Sequence, residues 1–309
     1  MLTFFSGLFL FLGGLEGSKW AIKNLVNEKI IRLILALDKH FYLSIFMGII
    51  ITAIMQSSSA VSVILIGLIE AGVLSLKPAI GIMIGANIGT TVTGQILTYP
   101  IVNYYPYLIS LGLCIGVLSL FIKKETLFYI GTCLFFYGLI FVGLILMTRF
   151  FQSPEKRKLI EIILQFSGKN IILGILLGAV ITAIIQSSSA LTGIVIGLAF
   201  NNLISLRTAI SLTLGSNMGT CFTAFLASIN SGHFSQKLAK GHFVFNLLGV
   251  LALLPLFYPF EAIVRISSPE LTRQIANAQT YFNIFNTIII LPFINTFISW
   301  LMGKEDDLH

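Results

Sequence analysis

TAIMQSSSA, at residues 52–60, and TAIIQSSSA, at residues 182–190, decide the fold of this chain. Eight of the nine positions match at an offset of 130 residues. The same offset continues without a gap and pairs GANIGTTVT at 85–93 with GSNMGTCFT at 215–223. Agreement at polar positions over so long a stretch indicates a true internal repeat, so the chain is predicted to contain two copies of one unit.

The composition places this repeat in a membrane. Of the 309 residues, 56% are hydrophobic and 10% are charged, whereas about a quarter of a soluble domain is charged. Between residues 41 and 122 the only charged side chains are Glu70 and Lys77. Such runs predict an all-α, multi-pass protein of the plasma or inner membrane, with the lipid bilayer as its partner. The net charge of +7 is spread over the loops, which argues against nucleic-acid binding.

The apolar runs that flank each serine triplet are too short to cross the bilayer. Residues 41–55 form a helix of about 22 Å, whereas the hydrocarbon core is about 30 Å thick. The run at 60–74 is equally short. We therefore predict a re-entrant hairpin over 41–75 with the triplet at its tip, and a second hairpin over 170–205. A single continuous helix with polar residues in its middle remains the alternative.

The predicted organisation is a first repeat at 1–123, a second repeat at 124–236 and C-terminal spans at 237–309 that complete the transport fold. An odd number of crossings separates equivalent points of the two repeats, which predicts that the repeats are inverted relative to one another. The two tips then meet near the membrane centre from opposite faces. The predicted spans lie at 3–25, 78–98, 104–122, 126–149, 208–228, 240–260 and 278–302.

The tips have the chemistry of an ion site. The first turn of a helix offers free N–H groups and a partial positive charge, which suit a small tetrahedral anion. Hydroxyl and amide oxygens also suit Na⁺. Neither tip contains a charged residue, so helix dipoles and bound ions must balance the charge. The serines have no histidine and acid placed to activate them, which argues against an enzyme. A channel with a continuous polar pore remains an alternative.

These residues resemble the type II sodium–phosphate cotransporter family, in a bacterial-type form without the C-terminal regulatory domain. The resemblance rests on both QSSS motifs and both G-x-N-x-G-T segments. It extends to KGHFVFNLLGVLALLP at 240–255 and ANAQTYFNIFNTIIILPF at 276–293. It implies Na⁺-coupled symport of inorganic phosphate by alternating access, with Na⁺ as the coupling ion and no other cofactor. It leaves open whether the protein forms a homo-oligomer.

The resemblance also implies roles for particular residues. The implied phosphate-binding residues are Gln56, Ser57, Ser58, Ser59, Gln186, Ser187, Ser188 and Ser189. Asn87, Thr90, Asn217 and Thr220 are implied as sodium-binding or site-lining residues, with helix packing as the alternative role for these four. Alternative functions are a phosphate exporter, a carrier of another tetrahedral oxyanion such as sulfate or arsenate, and a channel-like membrane protein.

Overall fold

The computed structural model describes residues 2–35, 41–99, 104–150, 158 and 170–303, and the regular structure in these ranges is entirely helical. We number the helices in chain order. They are α1 (Leu2–Leu35), α2 (Phe41–Met55), α3 (Ser58–Glu70), α4 (Leu76–Leu97), α5 (Tyr105–Ile122), α6 (Glu125–Phe150), α7 (Ile171–Ile185), α8 (Ser188–Phe200), α9 (Leu206–Ser228), α10 (His233–Leu253), α11 (Phe257–Ile266), α12 (Leu271–Ile290) and α13 (Ile294–Met302).

Five helical segments of the described chain are long and apolar enough to cross a membrane. They are Leu76–Leu97, Tyr105–Ile122, Glu125–Met147, His233–Ile266 and Leu271–Met302. The predicted class, an all-α membrane protein, is therefore confirmed. Helices α1 and α9 are as long but carry more polar residues, so the spans at 3–25 and 208–228 stay predictions.

The last two of these segments are bent at a proline. Helix α10 continues into α11 through a 3₁₀ turn at Leu254–Leu256, and α12 continues into α13 through a 3₁₀ turn at Leu291–Phe293. Pro255 and Pro292 occupy these turns, and each removes the N–H that a regular helix would use there. The chain therefore tightens and turns at these points without leaving helical structure. Helix α10 also begins at His233, seven residues before the predicted start at 240.

The helix is interrupted at each QSSS motif. Helix α2 ends at Met55 and α3 begins at Ser58, and α7 ends at Ile185 with α8 beginning at Ser188. The alternative of one continuous helix through each motif is therefore wrong. We call the residue pairs Gln56–Ser57 and Gln186–Ser187 the first and second helix breaks.

Glycines bring α2 and α4 into backbone contact along their length. The contacts pair Gly48 with the carbonyl of Ile82, Gly85 with the carbonyl of Ile45, and Gly89 with the carbonyl of Ile49. In α4, Gly81, Gly85 and Gly89 meet the carbonyls of Phe41, Ile45 and Ile49 in turn, so α2 and α4 run parallel. Helix α3, which connects them, must therefore return the chain to the level at which α2 began. We call this row of contacts the first glycine seam.

The second repeat has an equivalent seam between α7 and α9. Its contacts pair Gly178 with the carbonyl of Leu212, Gly215 with the carbonyl of Ile175, and Gly219 with the carbonyl of Ala179. Every one of these residues lies 130 positions after its counterpart in the first seam. The repeat found in the sequence is thus also a repeat of helix packing.

Helices of the two repeats pack crosswise, with α3 against α9 and α8 against α4. Helix α10 runs antiparallel to α3, because the Ser235 hydroxyl donates to the Ile66 carbonyl (3.4 Å) and the Gly232 N–H donates to Glu70 (2.9 Å). Helix α10 is therefore parallel to α4. A short turn connects α9 to α10, and the two helices pack against each other in opposite directions. Consequently α4 and α9 run in opposite directions.

Helix α6 lies between α1 and α5 and packs closely against both. Gly143 of α6 approaches the backbone of Phe11, and Gly131 approaches the backbone of Gly116. The two remaining long segments complete the molecule, since α10 and α12 contact each other and both contact α4 and α9. Helices α1 and α6 flank the helix breaks and contact them.

Candidate functional site

The two helix breaks have the same backbone geometry. Gln56 and Gln186 adopt left-handed conformations, with φ of 52° and 57°. Ser57 and Ser187 are extended, with φ of −152° and −148°. This sequence of conformations ends one helix and lets the next begin immediately, in a new direction.

The first serine of each triplet caps the helix that follows. The Ser57 hydroxyl oxygen accepts the Ala60 N–H at 3.2 Å, and the Ser187 hydroxyl oxygen accepts the Ala190 N–H at 3.3 Å. A serine at this position is a favourable helix cap. The other N–H groups of the first turn have no acceptor within the helix, so α3 and α8 each present an electropositive end at the break.

The two breaks touch each other. The Ser59 hydroxyl donates to the backbone carbonyl of Gln186 at 3.5 Å, across 127 residues of sequence. The N-terminal ends of α3 and α8 therefore converge on one place. Both residues are among the eight predicted for phosphate, and their contact connects the two repeats.

The predicted phosphate residues differ in exposure. Ser58, Ser188 and Ser189 are buried, and Gln56 is only 8% exposed. Ser57, Ser59 and Ser187 are half-buried, and Gln186 is exposed. The place where the breaks meet is therefore open on the side of Gln186 and closed on the side of Gln56.

Two flanking helices add a side chain each to the breaks. On α6, Tyr137 lies beside Gln56, although its hydroxyl makes no hydrogen bond of good geometry within the described residues. On α1, the Lys19 ammonium lies 3.4 Å from the Ser187 hydroxyl oxygen and 2.7 Å from a carboxylate oxygen of Glu16. A charged group therefore reaches the second break from outside the motif.

Neither flanking residue was predicted from the sequence, because both lie outside the QSSS motifs. A signal was nevertheless present for Lys19. The predicted span at 3–25 contains Glu16 and Lys19, and ionisable residues inside a membrane helix usually mark function. No comparable signal was available for Tyr137, since aromatic residues are common throughout α6.

Asn87 of α4 and Asn217 of α9 lie in a second polar cluster, where their partners are on α10 and α12. Asn87 Oδ1 pairs with His242 Nε2 at 3.2 Å, and Asn217 Nδ2 donates to Asn283 Oδ1 at 3.4 Å. His242 is buried within this cluster.

The two remaining predicted sodium-site residues satisfy their hydroxyl groups locally. Thr90 donates to the Ala86 carbonyl at 3.0 Å, and Thr220 donates to the Ser216 carbonyl at 2.9 Å. These are bonds to the preceding helical turn. They leave the hydroxyl oxygens able to accept or to ligate a cation.

Four threonines that were not predicted have buried hydroxyls without a hydrogen-bond partner in the described chain. They are Thr52, Thr93, Thr182 and Thr223. They form two repeat-related pairs, since Thr182 and Thr223 lie 130 residues after Thr52 and Thr93. Thr52 and Thr182 also provide the backbone carbonyls that accept the N–H groups of Gln56 and Gln186. Unsatisfied oxygens beside both breaks are the type of ligand that Na⁺ takes.

A separate groove of about 910 Å³ opens on the outer side of α7, α9 and α10. Its walls are mostly apolar and include Ala183, Met218, Phe222 and Phe225. Such a surface suits lipid chains rather than a hydrated anion. The chemistry of ion binding therefore points to the helix breaks and not to this groove.

Comparison with known proteins identifies the family. The sequence matches the family described as Na⁺/Pi-cotransporter over residues 10–149 and 142–266, which together include both repeats. The chain belongs to this family. Members of the Na⁺/Pi-cotransporter family are transporters, so the protein is a multi-pass transport protein of the plasma membrane, and the resemblance found in the sequence is confirmed.

The individual relatives differ in how much of their own length this chain spans. Uncharacterized protein YqeW of Bacillus subtilis is 31% identical over 96% of this chain and 95% of its own length. Putative inorganic phosphate export protein YjbB of Escherichia coli is 26% identical over 80% of this chain, which spans only 45% of that protein. Sodium-dependent phosphate transport protein 2B of Rattus norvegicus is 44% identical over 91 residues, 28% of this chain and 12% of that protein. No solved structure matches this chain significantly.

Proposed function

We propose that this protein is a Na⁺-coupled symporter of inorganic phosphate that works by alternating access and holds phosphate between its two helix breaks. The observation that carries the proposal is the contact between Ser59 and Gln186, which brings together the N-terminal ends of two helices from different repeats. Two such ends direct N–H groups and hydroxyls at one point, and this arrangement favours an anion.

The depth of the breaks supports a site near the bilayer midplane. Gln56 lies beside Tyr137, which stands about halfway along the membrane-crossing helix α6. A helix break at that depth is tolerated only where protein or a water-filled cavity surrounds it. Discontinuous helices near the midplane are typical of substrate sites in secondary transporters.

The helix directions support the inverted arrangement of the repeats. Helices α4 and α9 are equivalent by sequence but run in opposite directions. We therefore infer that α2–α3 and α7–α8 are re-entrant hairpins that enter from opposite faces of the membrane. Opposed repeats can exchange conformations, and this exchange opens one site alternately to the two sides.

Na⁺ coupling is supported by the family match and by the supply of oxygens around the breaks. The hydroxyls of Thr52 and Thr182 are buried, lack partners among the described residues, and lie one helical turn before the breaks. A bound Na⁺ would satisfy such oxygens. It would also offset the negative charge of phosphate, because opposite charges attract strongly where water is scarce.

Reconstituted vesicles test the proposed function. Purified protein in liposomes should accumulate radiolabelled phosphate when Na⁺ is higher outside, and should not do so when K⁺ replaces Na⁺. Sulfate and arsenate added as competitors define the anion specificity. Phosphate flux that ignores the Na⁺ gradient would instead indicate a channel-like protein, and no flux would refute transport.

Substitution of a motif serine tests the position of the site. Ser58→Ala should lower phosphate uptake, whereas Ser62→Ala, which removes another buried hydroxyl one turn further along α3, should have little effect. Equal uptake by the two variants would argue against a site at the breaks.

A phosphate exporter is the second candidate, because the Escherichia coli relative is named as a putative phosphate export protein. Alternating access is reversible, so the direction of transport depends on the gradients and on the resting conformation. Vesicles preloaded with phosphate distinguish the two candidates. With the same Na⁺ gradient and the same orientation of the protein in the vesicle membrane, an exporter should release phosphate, whereas a symporter should take it up.

A further inference from the structure

Lys19 of α1 occupies a position that the serine motifs do not explain. Its ammonium lies 3.4 Å from the hydroxyl oxygen of Ser187, the residue that caps α8 at the second break. The Lys19 side chain is only 14% exposed. The adjacent residue, Gln186, is the one whose carbonyl contacts Ser59. Lys19 therefore directs its charge at the place where the two breaks meet.

Glu16 gives Lys19 a partner but does not account for its position. The two form an ion pair at 2.7 Å, one turn apart on α1. The Glu16 side chain is 69% exposed and the Lys19 side chain is 14% exposed, so the two partners of the pair differ in how far they are buried. A lysine that served only this pair could point outward with its partner. Instead it bends inward to the break.

The ammonium retains donor capacity in this position. A lysine has three N–H donors, and among the described residues Glu16 and Ser187 take two of them. The contact to Ser187 is long for a charged hydrogen bond, since such bonds are usually about 2.7–2.9 Å. An anion between the breaks could thus receive both the third donor and the one now directed at Ser187.

We propose that Lys19 is a substrate ligand, which rests on the function proposed above. When phosphate enters, Lys19 moves from the Ser187 hydroxyl to a phosphate oxygen and supplies the site with a fixed positive charge. This charge favours the dianion HPO₄²⁻ over H₂PO₄⁻. Glu16, whose side chain is 69% exposed, holds the ammonium near the break while the site is empty.

Equilibrium binding of radiolabelled inorganic phosphate to the full-length protein in lipid nanodiscs, at saturating Na⁺, tests this proposal. We expect Lys19→Gln to raise the phosphate Kd by about tenfold or more, as for loss of a charge-assisted hydrogen bond. Lys19→Arg should lose much less affinity. The matched control is Lys23→Gln, which removes the same charge from an exposed position one turn further along α1.

The pH dependence separates a ligand from a structural residue. Wild-type protein should bind phosphate more tightly as rising pH converts H₂PO₄⁻ to HPO₄²⁻. This increase in phosphate affinity should be smaller in Lys19→Gln. Thermal melts of the variants without phosphate show whether folding has changed. A wild-type Kd with a wild-type pH dependence in Lys19→Gln would overturn this inference alone. Absence of phosphate binding in the wild-type protein would overturn it together with the proposed function.

Discussion

At the scale of single residues, Gln56 and Gln186 have a left-handed backbone conformation at the two helix breaks. The serine triplets flanked by short apolar runs indicated where each helix stops. The residue types did not predict a left-handed backbone at Gln56 and Gln186, because asparagine and glycine are the residues that usually adopt it. Lys19 was missed for a different reason, namely that it reaches the site from another helix.

The left-handed glutamines give the first prediction. Glycine adopts this conformation without strain, so Gln56→Gly should fold at least as well as the wild-type protein. Phosphate uptake by this variant should fall nevertheless, because the amide group is lost from the break. Thermal melts and vesicle uptake measure the two effects separately. Wild-type uptake by Gln56→Gly would show that the backbone conformation alone matters at this position.

Glu70, at the C-terminal end of α3, gives a prediction on pH. The Ser235 hydroxyl and the Gly232 N–H donate to its carboxylate and hold its pKa below the ordinary value of 4.5. A lowered pKa stabilises the fold above the ordinary value, and this contribution disappears as the pH falls through the lower folded value. Glu70→Gln should therefore have a slightly lower Tm than wild type at neutral pH.

The difference in Tm between Glu70→Gln and wild type should close as the pH falls below 4.5. Melting curves of the purified protein across this range provide the measurement. Glu270→Gln, which removes an exposed carboxylate from the start of α12, is the control. A Tm difference that persisted unchanged in acid would mean that the Glu70 charge is not responsible.

At the scale of helices, the sequence predicted most of the elements and fewer of their ends. Hydrophobic length located the spans from α4 to α6 to within a few residues. Helix α1 continues to Leu35, beyond the predicted end at 25, because the polar residues after that point still favour helix although they do not favour lipid. The prolines of the last two segments were visible in the sequence, but whether each would end its helix or only turn it depends on packing.

The glycine seams give a prediction for α4 and α9. A Cβ added at Gly85 would meet the carbonyl of Ile45, and one added at Gly215 would meet the carbonyl of Ile175. Backbone cannot move aside as a side chain can, so Gly85→Ala and Gly215→Ala should each cost about 2 kcal/mol or more. Thermal stability in detergent measures the effect, and the two variants should be similarly destabilised because the seams are equivalent.

Gly67 of α3 is the control for these substitutions, because a Cβ there meets nothing within 4 Å. Gly67→Ala should leave stability unchanged or raise it by about 0.5–1 kcal/mol, since alanine favours helix over glycine. Equal effects of alanine at Gly67 and Gly85 would contradict the seam.

At the scale of the whole molecule, the repeat was the most informative property of the sequence. One offset of 130 residues relates the motifs, the seams and the unsatisfied threonines. The relative orientation of the two repeats was harder to predict, because it depended on the number of segments that cross the membrane. That number was uncertain, since two of the predicted spans are less apolar than the rest. The contacts of α10 with α3 supply the helix directions without that count.

Alternating access predicts that the contact between the breaks must open during transport. Ser59→Cys and Gln186→Cys, combined in a protein whose native cysteines are replaced by alanine, should form a disulfide on oxidation because the Ser59 side chain lies 3.5 Å from the backbone of Gln186. Oxidation should stop phosphate uptake and reduction should restore it. The single cysteine variants should not respond to oxidant. Full uptake by the cross-linked protein would refute alternating access through this contact.

The glycine seams also determine which parts of the protein are able to move. With backbone against backbone, α2 has no layer of side chains on which to slide past α4, and α7 has none against α9. Each seam therefore restricts sliding between its two helices, which we expect to move together as one rigid unit. The two helix pairs meet mainly through α3, α8, α10 and α12, which pack against α4 or α9. Under the proposed alternating access, each pair of helices would therefore shift as one unit, and the helix break at its end would shift with it.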